Sequence, residues 1–357
     1  MAGGGTGGHL MPALALAEAV PALRPEIEPV LVGSRRGIES QLLPRYPFRY
    51  HLLPLEPIYR RAWWRNLRWP VTAWRLLRAI NALLAREAPA VVIGTGGYVA
   101  GPVVWRAQRA GIPTAIQEQN AFPGLATRWL ARSARQVHLG FPEARARLRV
   151  GPGAAVYALG NPIRTPAPGD PAHARAGFGL APDRPTLLVF GGSQGALALN
   201  RATAAALERG LLGDINLLWG SGPTHATLYA PYATPGRVVV RGFFDPVAQA
   251  YQAADLVLCR AGAMTVAELC AWGKPSVLVP LPTAAADHQT ENARALAAAG
   301  AAILLPERDL TPETLAHTVG ELVRSPDRLD SMARAARARG NPNAAREVMS
   351  RILTLIQ

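Results

Sequence analysis

Five glycines crowd six positions in Gly3-Gly4-Gly5-Thr6-Gly7-Gly8, and His9 follows them. Such a run offers a core no side chains. It offers bare backbone N–H groups and access to positive φ. A helix-forming apolar stretch starts at once, through Leu10, Met11, Leu14, Leu16, Ala17 and Val20. A glycine loop feeding a helix N-terminus favours negative charge, through unpaired N–H groups and the helix dipole. The loop is expected to grip a substrate diphosphate. His9 is a structural histidine or a group in proton transfer or phosphate binding; attack by a sugar hydroxyl needs a base near neutral pKa. A second loop, Gly191-Gly192-Ser193-Gln194-Gly195-Ala196, repeats the design halfway along the chain.

Four further clusters carry polar or conformationally free residues. Gly94-Thr95-Gly96-Gly97-Tyr98 follows an aliphatic run and is either a plain strand-to-helix turn or a close backbone approach to a ligand. Gln117-Glu118-Gln119-Asn120 ends another run, to hold sugar hydroxyls or to cap a helix. In Arg260–Glu268, Thr265 and Glu268 fit a capping box. Alternatively Glu268 takes both hydroxyls of a ribose, since a carboxylate can accept from a cis-diol. In Asp287-His288-Gln289-Thr290-Glu291-Asn292 the alternatives are a cap by Asp287 and sugar recognition by Gln289. Gly3, Gly5 and Gly8 also satisfy a dinucleotide fingerprint. That fingerprint wants an acid after the next strand; Arg35 and Arg36 stand there instead, which the 2′-phosphate of NADP could tolerate, so NADP binding is the lesser alternative.

The elements that must position these groups alternate. Short aliphatic runs fall at Pro29–Val32, Ala90–Ile93, Thr114–Gln117, Gln136–Leu139, Val156–Leu159, Thr186–Phe190, Asn216–Trp219, Val238–Val240, Asp255–Leu258, Ser276–Val279 and Ala302–Leu305. Helical stretches lie between most of them, so the class is α/β with parallel sheets covered on both faces. Asn161–Pro171 has four prolines in eleven residues and reads as a linker. The strand, glycine loop and helix then restart at Thr186. Two Rossmann-type domains facing a cleft are expected, at 1–162 and 163–340, with the terminal helix in 341–357 packing back on the first. Only Met1 and Ala2 precede the first loop, so the first sheet is expected to lack a central strand.

The chain of 357 residues carries a formal charge of +14, nearly all arginine, with Lys274 its only lysine. Attraction to anionic partners follows. Cys259 and Cys270 make no disulfide framework, and no CxxC or HExxH run marks a metal site. No apolar run approaches the roughly 20 residues that span a bilayer. Arg60–Arg86 holds seven arginines, no acid, and Trp63, Trp64, Trp69 and Trp74. Interleaved Trp and Arg suit an anionic membrane surface or single-stranded nucleic acid. The membrane is the better fit, since nothing else resembles a nucleic-acid fold.

Taken together, GGTGGH (Gly4–His9), GTGGYVAGP (Gly94–Pro102), EQN (Glu118–Asn120), GNPIR (Gly160–Arg164), GGSQGA (Gly191–Ala196), CRAGAMTVAE (Cys259–Glu268) and DHQTENA (Asp287–Ala293) resemble the MurG family of peptidoglycan glycosyltransferases. The resemblance runs nearly the whole chain. It implies a GT-B fold and an inverting hexosyltransferase without metal or other cofactor. That enzyme moves N-acetylglucosamine from UDP-N-acetylglucosamine to the 4-hydroxyl of lipid I, giving lipid II for the cell wall. It implies a peripheral protein on the cytoplasmic face of an anionic membrane, with no nucleic-acid partner. By position, Ser193, Met264, Thr265, Glu268 and Gln289 would bind the donor, with Phe244 by the uracil. Asn120 and Arg164 would reach the donor from the first half. Thr6, Gly7 and Gly8 would serve a diphosphate, and Gly5, Gly96, Gly97 and Tyr98 the acceptor. His9 would assist deprotonation.

Overall fold

The computed structural model describes residues 1–55, 69–167, 169–192 and 195–356. Trp63, Trp64 and Ser193 lie outside the described residues. The chain divides into two compact units, Met1–Arg164 with the segment from Asn343 onward, and Thr165–Pro342.

The first unit is built on β1 (Ala2–Gly3), β2 (Val30–Ser34), β3 (Arg49–Leu53), β4 (Val92–Gly96), β5 (Thr114–Glu118), β6 (Gln136–Leu139) and β7 (Ala155–Tyr157). They form one sheet in the order β3-β2-β1-β4-β5-β6-β7. Every pairing is parallel. The expected gap at the sheet centre is filled, though by only 2 residues. Ala2 is fully buried and pairs with Val32 on one side and Gly94 on the other. The Met1 amine donates to the Val30 carbonyl at 2.7 Å, and Val32 N–H donates to the Met1 carbonyl at 2.8 Å. Burial pulls that amine's pKa down to about 5. The edge strand β3 was not expected either. It begins with exposed Arg49 and Tyr50 and has no aliphatic run, as befits an edge with one solvated side.

Helices cover both faces. On one lie the helix Gly7–Leu23 and the terminal helix Ala344–Leu353. Val348, Met349, Ile352 and Leu353 make one stripe and pack with Leu16 and Val20. Burying each such side chain is worth about 2 kcal/mol. On the other face Ile80 and Leu83 of the helix Trp69–Glu87 join Val99, Val103 and Val104 of the helix Gly97–Arg109.

The second unit contains β8 (Thr186–Phe190), β9 (Asn216–Gly220), β10 (Val238–Arg241), β11 (Leu256–Cys259), β12 (Ser276–Leu278) and β13 (Ala302–Leu304). The order is β10-β9-β8-β11-β12-β13, again all parallel. Trp219 is fully buried in its core and satisfies its indole N–H on Asn200 Oδ1 at 2.9 Å. Both sheets are therefore of Rossmann type. In each, the strand order reverses beside the first strand, between β1 and β4 and between β8 and β11. Open parallel sheets bind ligands in the crevice at such reversals.

Candidate active site

In the first unit the reversal brings two glycine loops together. Gly3 pairs with Gly96, so both loops leave the sheet side by side. The helix Gly7–Leu23 begins after one of them, with Thr6 at its cap and no side chain bonding its first N–H groups. The helix Gly97–Arg109 begins after the other, also without a side-chain cap. Gly96 and Gly97 have φ of 100° and 74°, where L side chains are strained. Space forbids a side chain there too. A Cβ on Gly96 would stand 2.7 Å from His9 Nδ1, and one on Gly97 would stand 1.9 Å from the Gly4 carbonyl oxygen. The bare backbone here makes room for the half-buried His9 ring. Tyr98, also half-buried, packs against Gly5.

His9 is held from two sides. Thr95 Oγ1 donates to the His9 carbonyl at 2.7 Å, and His9 Nδ1 lies 2.9 Å from Gln119 Oε1. Gln119 is itself buried, and its Nε2 donates to the carbonyls of Thr95 at 2.7 Å and Gln117 at 3.0 Å. Gln117 donates to Asn161 Oδ1 at 2.8 Å, and Asn161 Nδ2 returns to the Gln119 carbonyl at 2.9 Å. The polar quartet at the end of β5 thus splits by strand alternation. Gln117 and Gln119 turn inward to brace His9. The buried Glu118 carboxylate instead accepts from Asn120 N and Nδ2 at 3.0 and 3.2 Å and from Gly124 N at 3.1 Å. Asn120 is half-buried at the edge of this loop.

One group escaped the sequence reading. Glu39, fully buried, accepts from the Gly5 N–H and lies where a Cβ on Gly4 would be. The Gly5 N–H, expected to face the acceptor, is committed to this carboxylate. Thr6 and Gly8 remain exposed and Gly7 half-buried at the helix end. Arg164, where the chain leaves this unit, grips Glu18 at 2.7 and 3.2 Å and lies over the Tyr46 ring. Trp74 is 57% exposed with Arg78 over its ring, and Trp69 opens the same helix.

In the second unit Phe190 pairs with Cys259, so the loops starting at Gly191 and Arg260 also leave side by side. The helix Ala263–Trp272 starts after Gly262 with no side-chain cap, and half-buried Met264 and Thr265 lie in its first turn. The capping box is absent, because the helix starts too early for Thr265 to be its cap. Glu268 instead accepts from the buried Tyr251 hydroxyl at 2.9 Å. Burial and this carboxylate together push the Tyr251 hydroxyl and the Cys259 thiol well above their ordinary pKa ranges. The Asp287 cap is absent as well: its Oδ1 accepts from Thr290 Oγ1 at 2.6 Å, and its φ is 54°. Gln289 Oε1 accepts from Leu281 N at 2.9 Å, and buried Asn292 donates to the Ala261 carbonyl at 3.1 Å. The two motifs are thereby joined. Arg260, 8% exposed, braces the same loop through the carbonyls of Val279 and Pro280 and an ion pair with Glu307. Phe244 is buried edge-on to Phe178, their centroids 5.7 Å apart, with Arg241 over its ring. Among the described residues no cluster of three or more His, Cys, Asp or Glu side chains suits a metal ion.

Comparison with known proteins places this arrangement. Residues 1–139 match the glycosyltransferase family 28 N-terminal domain and 186–350 the family 28 C-terminal domain. A protein of Chlorobaculum parvum named UDP-N-acetylglucosamine–N-acetylmuramyl-(pentapeptide) pyrophosphoryl-undecaprenol N-acetylglucosamine transferase is 44% identical, over 99% of this chain and 98% of its own. The protein of that name from Salinibacter ruber is 42% identical, over 99% and 96%. The crystal structure of Acinetobacter baumannii MurG matches with a TM-score of 0.78 at 31% identity, covering 98% of this chain and 97% of that one. A UDP-N-acetylglucosamine 2-epimerase shares the fold alone, at 14% identity and a TM-score of 0.65. With two Rossmann-type sheets of the GT-B fold and relatives matching end to end, the chain belongs to glycosyltransferase family 28 and, within it, to the MurG N-acetylglucosamine transferases.

Proposed function

We propose that the chain transfers N-acetylglucosamine from UDP-N-acetylglucosamine to the 4-hydroxyl of the N-acetylmuramyl sugar of lipid I, giving lipid II and UDP in peptidoglycan synthesis. The full-length relationship to transferases of that name, at 44% identity, carries this reading. The geometry supplies the parts. In the second unit Glu268, held by Tyr251, takes the ribose hydroxyls. Met264, Thr265, Gln289 and Phe244 surround the nucleotide and sugar, and Ser193 of the second glycine loop binds the same donor. The N-terminus of the helix Ala263–Trp272 offers its positive end to the leaving diphosphate. In the first unit the helix end at Thr6–Gly8 and the Gly96–Tyr98 turn receive a diphosphate and the acceptor, with Asn120 and Arg164 reaching the donor.

His9 removes the proton of the acceptor hydroxyl. The oxygen pair then forms the bond to the anomeric carbon, from the side opposite UDP. The bond to the diphosphate oxygen breaks with its electrons leaving on UDP, so configuration inverts. Release of UDP from UDP-N-acetylglucosamine, measured with and without lipid I, tests the proposal. Release that depends on lipid I is expected. Release unaffected by lipid I, or its replacement by epimerised sugar nucleotide, would overturn it.

The same reading puts the protein on the cytoplasmic face of the membrane that carries lipid I. No described helix is long and apolar enough to cross a bilayer. A surface fit for peripheral contact extends beyond the Trp74 segment. Leu125 and Trp129 are 73% and 54% exposed, and Trp129 stacks on Trp105 at 6.4 Å. Two shallow grooves around Trp129 are lined by Arg109, Arg128, Arg132, Arg147 and Arg149 and by no acid. Apolar side chains ringed by arginine suit an anionic headgroup layer.

A further inference from the structure

We propose that Gln119 is the positioning residue of the reaction: it fixes His9 in the Nδ1–H tautomer, and does so with a neutral amide. The inference rests on the reading of His9 as the base, but its structural half stands apart from it. The Gln119 Nε2 atom lies 2.7 Å from the Thr95 carbonyl oxygen and 3.0 Å from that of Gln117. Backbone carbonyls only accept, so the amide nitrogen must face them. Turning the amide over would set its oxygen against these two carbonyl oxygens with no hydrogen between them. The Gln119 oxygen therefore faces His9 Nδ1, at 2.9 Å, and it too can only accept. Nδ1 must carry the hydrogen. In a neutral imidazole the other nitrogen then holds the lone pair.

The orientation is secured further back. Gln117 gives its Nε2 hydrogens to Asn161 Oδ1 at 2.8 Å and the Glu118 carbonyl at 3.2 Å. Its own oxygen is thereby turned toward Gln119 Nε2, with which it bonds. Gln117, Gln119 and Asn161 are at most 2% exposed, so water does not compete. The result is a row of amides pointing one way, each anchored on backbone. Gly96 closes the ring's edge, since a Cβ there would meet both His9 Nδ1 and Gln119 Oε1.

The neutrality of Gln119 has its own effect. A carboxylate at this position would favour the imidazolium, as an opposite charge nearby raises the pKa of a histidine. Among the residues described above around His9, the titratable side chains are Tyr98, Glu39 and Glu118. Glu39 is bound to Gly5 N–H and Glu118 to Asn120 and Gly124, and neither bonds the ring among the described residues.

Long-range proton–nitrogen correlation spectra of the full chain, labelled with nitrogen-15 histidine, read the tautomer directly; loss of the signal in His9→Ala assigns it. Protonated Nδ1 is expected in the native protein, lost in Gln119→Met, which keeps the length without the acceptor. Turnover by Gln119→Met should fall about a hundredfold, the lower end of what a general base contributes, with donor KM unchanged. A native His9 protonated at Nε2, or Nδ1–H surviving in Gln119→Met, would overturn the proposal. Full turnover by His9→Ala would instead remove the base reading and leave the tautomer result standing.

Discussion

Tyr251→Phe isolates one hydrogen bond at the donor side. The Tyr251 ring is 1% exposed and packs against Phe190 and Trp272, with centroids 6.1 and 6.0 Å away. Phenylalanine fills the same space, so the change removes only the hydroxyl that donates to Glu268 at 2.9 Å. A hydrogen bond to a charged acceptor contributes roughly 1.5–3 kcal/mol, and removing it takes away one restraint on the carboxylate that is proposed to hold the ribose. Glu268 is half-buried, so water recovers part of the loss and about 1–2 kcal/mol remains. Affinity for UDP should fall about 5- to 30-fold. Calorimetric titration with UDP and with its 2′,3′-dideoxy analogue measures this. The loss should appear with UDP and vanish with the analogue, which has no hydroxyls for Glu268 to hold. Equal losses with both ligands, or none with UDP, would refute the argument.

Gly96→Ala should lower turnover by about a hundredfold, the cost of a 1 Å misplacement, because its Cβ displaces the His9 ring. Calorimetry should find UDP affinity unchanged, and full turnover would contradict the packing described for His9. His138 is fully buried, Nε2 paired with Gln136, and burial pulls its pKa from 6.5 to about 4. The folded state holds it neutral, so its stability is complete above pH 6.5 and is lost as pH falls toward about 4. The shift corresponds to about 3 kcal/mol. Urea titrations should show the native chain losing that much more than His138→Gln over this window, and parallel curves would exclude it. Trp129→Ser with Leu125→Ser should weaken sedimentation with anionic vesicles while leaving UDP binding intact; undiminished sedimentation would move the docking surface elsewhere.

Short aliphatic runs made most strands legible, since buried parallel strands are apolar on both faces. Gln136–Leu139 and Thr186–Phe190 fall where their composition places them. Ala2–Gly3 did not, because two residues carry no period, and their strand exists only through its neighbours β2 and β4. The glycine loops and His9 were readable as chemistry because glycine runs have few other uses. Their internal partners were harder to read. Gln119 and Glu39 look like ordinary polar residues until the fold buries them. In Gln117–Asn120 the alternation of a strand end was the one available clue, with Gln117 and Gln119 on one side and Glu118 and Asn120 on the other. Thr265 and Glu268 had the spacing of a capping box, but Gly262 had already started the helix. Spacing alone does not reveal which residue becomes the cap.

The path of the backbone carries a last consequence. The chain leaves the first unit at Arg164 and re-enters it at Asn343. At the junction Thr165 Oγ1 donates to the Pro342 carbonyl at 3.0 Å, so the start and finish of the intervening segment meet. The second unit is in effect an insert spliced into the first. A protease nick in one crossing leaves the pieces joined through the other, and only a double cut releases the insert. A gene for Thr165–Pro342 alone would encode a polypeptide whose termini already touch, suited to expression in isolation or to recircularisation with new ends.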